Sequence, residues 1–293
     1  MKISLCTISF RHHLVSLEDI AMWAAANDFQ GIELWGVHAR NLVHQPHRNA
    51  DWLAGLGLSV PMLSDYLPLE GDAEALRRKT VDLCRLACNW RAGKLRTFAG
   101  SRGSRDTPAD VRRLIAARLR EISAIAADFG LSMLAETHPD TLADTCASTL
   151  DLVAEVDHPA FRLNFDTLHV WEGGDDPVAA HAALRPYVSH YHLKNVRSRA
   201  DLAVFAPANV YAAAGSRDGL TPLFEGEVDY APFFDELVGD PQVEASLEWF
   251  GNDCFNVLRK DRLAIKRLTG RHDALPRPAA FPYVQNQSVA RRI

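Results

Sequence analysis

Eight short apolar runs, each bounded by polar or glycine residues and most followed by a helical stretch, set the strongest constraint on this 293-residue chain. They fall at 3–7, 31–35, 59–64, 95–98, 133–136, 162–166, 188–194 and 245–248. Runs that short and apolar throughout read as parallel strands buried on both faces. Helices are expected between them. One covers 17–27, with Ser16 as its N-cap. The clearest covers 109–129, where Leu114, Leu119, Ile122 and Ile125 recur at helical spacing, Pro108 suits the first turn and Gly130 stops it. Eight strand-then-helix units predict an α/β fold of the (β/α)8 barrel type over residues 1–270, as one domain, rather than a doubly wound sheet.

The spacing is even except near the end. His192 and Glu248 are 56 residues apart, so a long loop is expected over 195–227, carrying Phe205, Tyr211 and Phe224. A long ordered loop on that side of a barrel covers the active site. Residues 271–293, with Pro276, Pro278 and Pro282, are expected to be an irregular tail that packs on a neighbouring subunit in a homo-oligomer.

Composition excludes several classes. The chain is 47% hydrophobic and 24% charged, which rules out a disordered or fibrous protein. A net charge of −5 argues against nucleic-acid or anionic-membrane partners. The first apolar stretch is too short and polar for a signal peptide, and no run reaches membrane-spanning length. Five cysteines at irregular spacing (Cys6, Cys84, Cys88, Cys146, Cys254) suit a reducing cytoplasm better than a disulfide framework. Cys84 and Cys88 are read as small residues on the apolar face of one helix. Gly-rich phosphate loops, dinucleotide fingerprints and the GxSxG nucleophile motif are absent.

In such a barrel, function sits where strands end. Four ends carry ligand-type residues: Glu136, Asp166, His192 and Glu248. Three carboxylates emerging into one mouth would raise each other's pKa unless a cation compensated them. Three oxygens and one imidazole suit Mn²⁺, Mg²⁺ or Co²⁺. The competing reading for any one of them is a surface carboxylate at a loop start. His138 stands two residues beyond Glu136, and Pro139 forces it toward an extended conformation, so both side chains face one way. It is read as a general base, against a loop histidine bonded to backbone. His169, three residues past Asp166, is a candidate substrate contact or ligand-orienting group. His12 or His13 could line the mouth, or the two could be a solvated loop pair. Arg96 and Lys194 lie in or beside barrel strands. They serve either a substrate carboxylate or a structural ion pair with Glu33 or Glu136. Tyr66, with Trp35, Trp171, Tyr211 and Trp249, could wall a small ring-shaped substrate.

Several segments together resemble a known family. They are Cys6-Thr7-Ile8-Ser9-Phe10-Arg11-His12, Gly31-Ile32-Glu33-Leu34-Trp35-Gly36, Arg96-Thr97-Phe98-Ala99-Gly100, Glu136-Thr137-His138-Pro139, Tyr191-His192-Leu193-Lys194-Asn195, Tyr211-Ala212-Ala213-Ala214-Gly215 and Ser246-Leu247-Glu248-Trp249-Phe250. The set is similar, over about residues 1–270, to the 3-dehydroshikimate dehydratases of the petrobactin-synthesis and quinate-catabolism type, within the xylose-isomerase-like TIM-barrel superfamily. The resemblance implies conversion of 3-dehydroshikimate to protocatechuate and water. It implies one divalent metal, commonly Mn²⁺, on Glu136, Asp166, His192 and Glu248. It further implies His138 as catalytic base, and Tyr66, Arg96, His169 and Lys194 around the substrate. The alternatives are a divalent-metal sugar or polyol isomerase or epimerase of the same superfamily, a DNA-repair endonuclease, and a non-catalytic binding module.

Overall fold

Strands buried on both faces leave no edge free for water, so their ladders must be completed by neighbours on either side. The computed structural model describes residues 1–238 and 240–270. Its strands are β1 (Lys2–Cys6), β2 (Gly31–Trp35), β3 (Leu63–Ser64), β4 (Lys94–Thr97), β5 (Ser132–Glu136), β6 (Phe161–Asp166), β7 (Val188–Leu193), β8 (Asn195–Val196), β9 (Leu220–Thr221) and β10 (Glu244–Leu247). All but β8 and β9 close into one parallel barrel in the order β1-β10-β7-β6-β5-β4-β3-β2. The expected tail at 271–293, and its packing on a second subunit, lie outside the described residues.

The helices are α1 (Leu17–Ala26), α2 (Gly36–Asn41), α3 (Ala50–Gly55), α4 (Ala73–Asn89), α5 (Ala109–Asp128), α6 (Cys146–Val156), α7 (Thr167–Glu172), α8 (Pro177–Leu184), α9 (Pro207–Val210), α10 (Ala231–Leu237) and α11 (Cys254–Leu268). Ser16 caps α1 by accepting from the Asp19 amide, as expected. Gly130, in the left-handed region at φ 72°, follows α5 and frees its chain to turn into β5. Among the described residues no helix is long and apolar enough to cross a membrane.

Alternation along the strands divides the interior into two cores. One set of positions faces outward to the helices and is apolar. Phe165, for example, stacks on Phe233 of α10 at 5.6 Å. The other set meets across the lumen and is strongly polar. Glu33, Ser64, Arg96, Glu136, Asn164, Asp166, His190, His192 and Ser246 are all buried. That polar lumen is where the chemistry resides.

Four expectations need correction. The third strand is only Leu63–Ser64, with Ser59 reduced to an isolated bridge to Gly31, because Pro61 has no N–H to give a ladder. In α5 the buried face is Ile115, Ala116, Leu119, Ile122, Ser123 and Ala126, while Leu114 is exposed. Leu114 is one position off the stripe and Ile115 takes the inward place. Pro108 is the N-cap of α5, not its first turn. Cys84 is buried on α4, but Cys88 is exposed near that helix's end. All five cysteines are free thiols.

Candidate active site

The four strand-end residues converge. Asp166 and His192 are register partners across β6 and β7, and His192 is level with Ser246 of β10. Glu248 lies just beyond β10, its amide still held by the Leu193 carbonyl at 3.1 Å. Nδ1 of His192 looks at Glu136 Oε1 at 3.4 Å, Glu248 Oε1 at 3.5 Å and Asp166 Oδ2 at 3.8 Å. That nitrogen is buried and has no aligned hydrogen-bond partner among the described residues. Asp166 has a double duty. It ends β6 and caps α7, so Oδ1 accepts from the His169 amide while Oδ2 is left for the cluster.

Cationic side chains share this space. Lys194 Nζ bridges Asp166 and Glu248, the latter at 2.7 Å. Arg96 Nε lies 2.8 Å from Glu136 Oε2, and its Nη1 is buried without a hydrogen-bond partner among the described residues. The ion-pair reading of Arg96 with Glu136 is thus realised, and Lys194 pairs with two other acids. Burial alone would raise Glu136, but Arg96 and His192 outweigh it and hold the carboxyl well below its ordinary range. Glu248 is likewise held down, by His192 and Lys194 against burial. For Asp166 burial wins over Lys194 and the carboxyl is pushed up. His192 goes well above its ordinary value, because Glu248, Glu33 and Glu136 overcome burial.

The donor set fits a divalent cation. Ligands bound about 2.1 Å from a common centre stand roughly 3.0–3.5 Å apart, close to the spacings around His192 Nδ1. Oxygen-rich, thiolate-free donors suit a hard or borderline cation. Asp166, His192 and Glu248 present their ligand atoms within 4.8 Å of one another.

Above this cluster opens a cavity of about 200 Å³, lined by Tyr66, Arg96, Glu136, His138, His169, Lys194 and Glu248, with Ile8, Phe98, Phe205, Pro207, Val210, Tyr211 and Phe250 as its apolar wall. His138 donates from Nδ1 to its neighbour's Pro139 carbonyl at 2.7 Å, which leaves Nε2 with the lone pair. Its ring lies between Phe98 and His169, each centroid 4.3 Å away. Burial, with some help from His169, pushes this imidazole down to about 3, so it is neutral. His169 Nδ1 is tied to Glu172 at 2.7 Å.

The segment between β7 and α10 supplies much of the wall. It folds as the β8–β9 hairpin, a 3₁₀ turn (Arg199–Phe205) and α9. Tyr211 reaches back to Tyr66 with a hydroxyl–hydroxyl contact of 2.6 Å and stacks on Trp35. His12 and His13 do not line this cavity. His12 bonds the Val210 carbonyl, and His13 turns toward Cys254 and a separate pocket beside α1. Trp171 packs under Arg199 and Trp249 bonds the Asn252 carbonyl, so neither walls the cavity. Phe98 and Phe250 also line the wall; both lie inside segments that carry the family resemblance, and residue type alone does not separate a wall aromatic from a core one. Glu33 was considered only as an ion-pair partner for a cation. It instead accepts from His192 Nε2 at 3.0 Å.

Comparison with known proteins agrees with the barrel fold. Residues 22–268 match the xylose isomerase-like TIM barrel family. The chain is 46% identical over 280 residues to the 3-dehydroshikimate dehydratase of Bacillus anthracis, covering 93% of this chain and 98% of that one. Among solved structures it is similar to the probable 3-DHS dehydratase AsbF involved in petrobactin synthesis from Bacillus anthracis. The TM-score is 0.87 at 46% identity, over 93% of this chain and 100% of that chain. A structure of the IOLI protein with a bound zinc atom superposes with a TM-score of 0.68 at 13% identity, over 92% of this chain and 96% of that chain, a likeness of fold alone.

Proposed function

This chain belongs to the xylose isomerase-like TIM barrel family, and we propose that it is a metal-dependent 3-dehydroshikimate dehydratase, a hydro-lyase that forms protocatechuate and water. The observation that carries the reading is a neutral imidazole, His138, sharing one cavity with Glu136 and Glu248, the two members of the three-carboxylate, one-imidazole cluster that reach its floor. An epimerase built on the same cluster would need no such additional base.

Glu136, Asp166, His192 and Glu248 would hold the cation, with Mn²⁺ the first choice and Mg²⁺ or Co²⁺ also suited to the donors. A divalent cation there supplies a Lewis acid for the ring ketone, which makes the hydrogen on the adjacent C4 removable. The chain's own groups do the rest. Nε2 of His138 takes the C4 proton. The C5–O bond breaks, and the hydroxyl leaves as water with a proton from the site. Loss of a ring proton from C6 and enolisation of the ketone then complete the aromatic ring. Arg96 offers its unpaired Nη1 to the ring carboxylate. Tyr66, His169 and Lys194 border the same space and orient the hydroxyls. Phe98, Phe205 and Phe250 exclude water and match the flat product.

His138→Ala tests the base. It is expected to bind Mn²⁺ as the wild type does and to lose about 10²–10⁴-fold in kcat, the typical contribution of one positioned base. A near-normal rate in that variant contradicts the assignment.

A further inference from the structure

We infer that Glu33 is a positioning residue for the metal centre, fixing through His192 which ring nitrogen faces the cation. The inference rests on the four-ligand reading above. Glu33 lies on β2, across the lumen from β7, and is completely buried. Both its oxygens accept from His192 Nε2, at 3.0 and 3.1 Å. A carboxylate can only accept, so Nε2 must carry the hydrogen. Once the ring gives up its second proton to bind a cation, the lone pair is on Nδ1, the nitrogen turned toward Glu136, Glu248 and Asp166.

The carboxylate is itself held from two other sides. Ser64 Oγ on β3 donates to Oε1. His190 Nε2 stands 3.5 Å from Oε2 and bonds Ser246 Oγ at 2.8 Å. The ammonium of Lys94, anchored on Glu244 at 2.6 Å, lies 3.4 Å from His190 Nδ1. An ammonium only donates, so His190 Nδ1 accepts and its hydrogen points inward from Nε2. The hydrogen-bond partners of Glu33, His192 and Ser64, are therefore both donors, and the N–H edge of His190 stands beside them. Neither Glu33, His190 nor Ser246 lines the substrate cavity. Outer groups of this kind orient a ligating imidazole and raise its basicity, and their loss commonly weakens metal binding by 10–100-fold.

The test is Mn²⁺ titration of wild type, Glu33→Gln and Glu33→Ala, reading free Mn²⁺ by electron paramagnetic resonance. Circular dichroism and melting of the metal-free proteins serve as the folding check. Glu33→Ala is expected to raise the Mn²⁺ Kd about 10–100-fold. Glu33→Gln, nearly isosteric and still able to accept from Nε2–H, is expected in between, at least about threefold weaker than wild type. At saturating Mn²⁺ the substrate KM should return to within about twofold of wild type, because His192 is the one proposed ligand that Glu33 touches and Glu33 does not line the substrate cavity. A purely structural role would lower melting and activity alike at every Mn²⁺ concentration. Should Glu33→Ala not fold, Glu33→Gln decides alone. A Glu33→Gln Kd equal to wild type overturns the inference and leaves the metal site standing. Wild-type protein that binds no Mn²⁺, Mg²⁺ or Co²⁺ overturns both.

Discussion

At the scale of single residues, the same force, burial of an ionisable group, has opposite uses. Around the cluster, buried acids are tolerated because cationic side chains and an imidazole meet them at hydrogen-bond range. At Asp261 on α11 no such partner compensates fully. Burial pushes that carboxyl up to about 7, with the Leu223 amide only partly offsetting it. The folded state thus prefers the proton that the unfolded chain gives up near 3.8. This contribution to stability is complete below that value and is lost as pH rises through about 7. Asp261→Asn keeps the acceptor for Leu223 without the charge. Calorimetry should find the variant melting above wild type at pH 8 and equal to it near pH 4; a difference independent of pH contradicts the explanation. The placement of the four strand-end residues was legible for a simple reason. A carboxylate or imidazole that ends an apolar strand has to emerge at the barrel mouth. The contact of Glu33 with His192 was not legible, since the two are 159 positions apart and contact across the lumen depends on closure. Which way His12 and His13 turn was not legible, because a loop's exit direction is not written in residue type.

At the scale of elements, periodicity located the helices and strands but not always which neighbour points inward. The α5 stripe is the clearest case. Leu114 and Ile115 are both apolar, and only packing decides between them. Ile115 is buried and faces Gly100 in the loop after β4, whereas Leu114 is exposed. Ile115→Ala should cost about 2–5 kcal/mol in denaturant unfolding, and Leu114→Ala no more than about 0.5 kcal/mol. Equal losses would contradict the assigned face. The long segment after β7 shows the reverse situation. Its length alone predicted a cover for the site, and Phe205, Val210 and Tyr211 form part of the cavity wall. Its internal structure was not foreseen. The hairpin is held by two-residue strands and by Asn195, whose amide nitrogen donates to the Leu223 and Val228 carbonyls. Strands that short carry no periodic signal.

At the scale of the whole molecule, the barrel brings side chains from β2, β4, β5, β6, β7 and β10 to one point, although they are spread over more than 200 positions. The outer core of apolar residues secures closure, and the polar lumen is supported by it. This division explains why the eight-strand alternation sufficed to foresee the architecture. It also explains why the network inside it needed the register of each strand. Fold, cluster and cavity together lead to one chemical consequence: a ring ketone's neighbour loses its proton, water departs and an aromatic acid results. The decisive measurement is incubation of Mn²⁺-loaded protein with 3-dehydroshikimate, following the ultraviolet absorbance of protocatechuate beside a chelator-treated control. The account predicts stoichiometric aromatic product that stops with the chelator and returns when Mn²⁺ is restored. Substrate consumed without an aromatic product, or a rate indifferent to the metal, would contradict it.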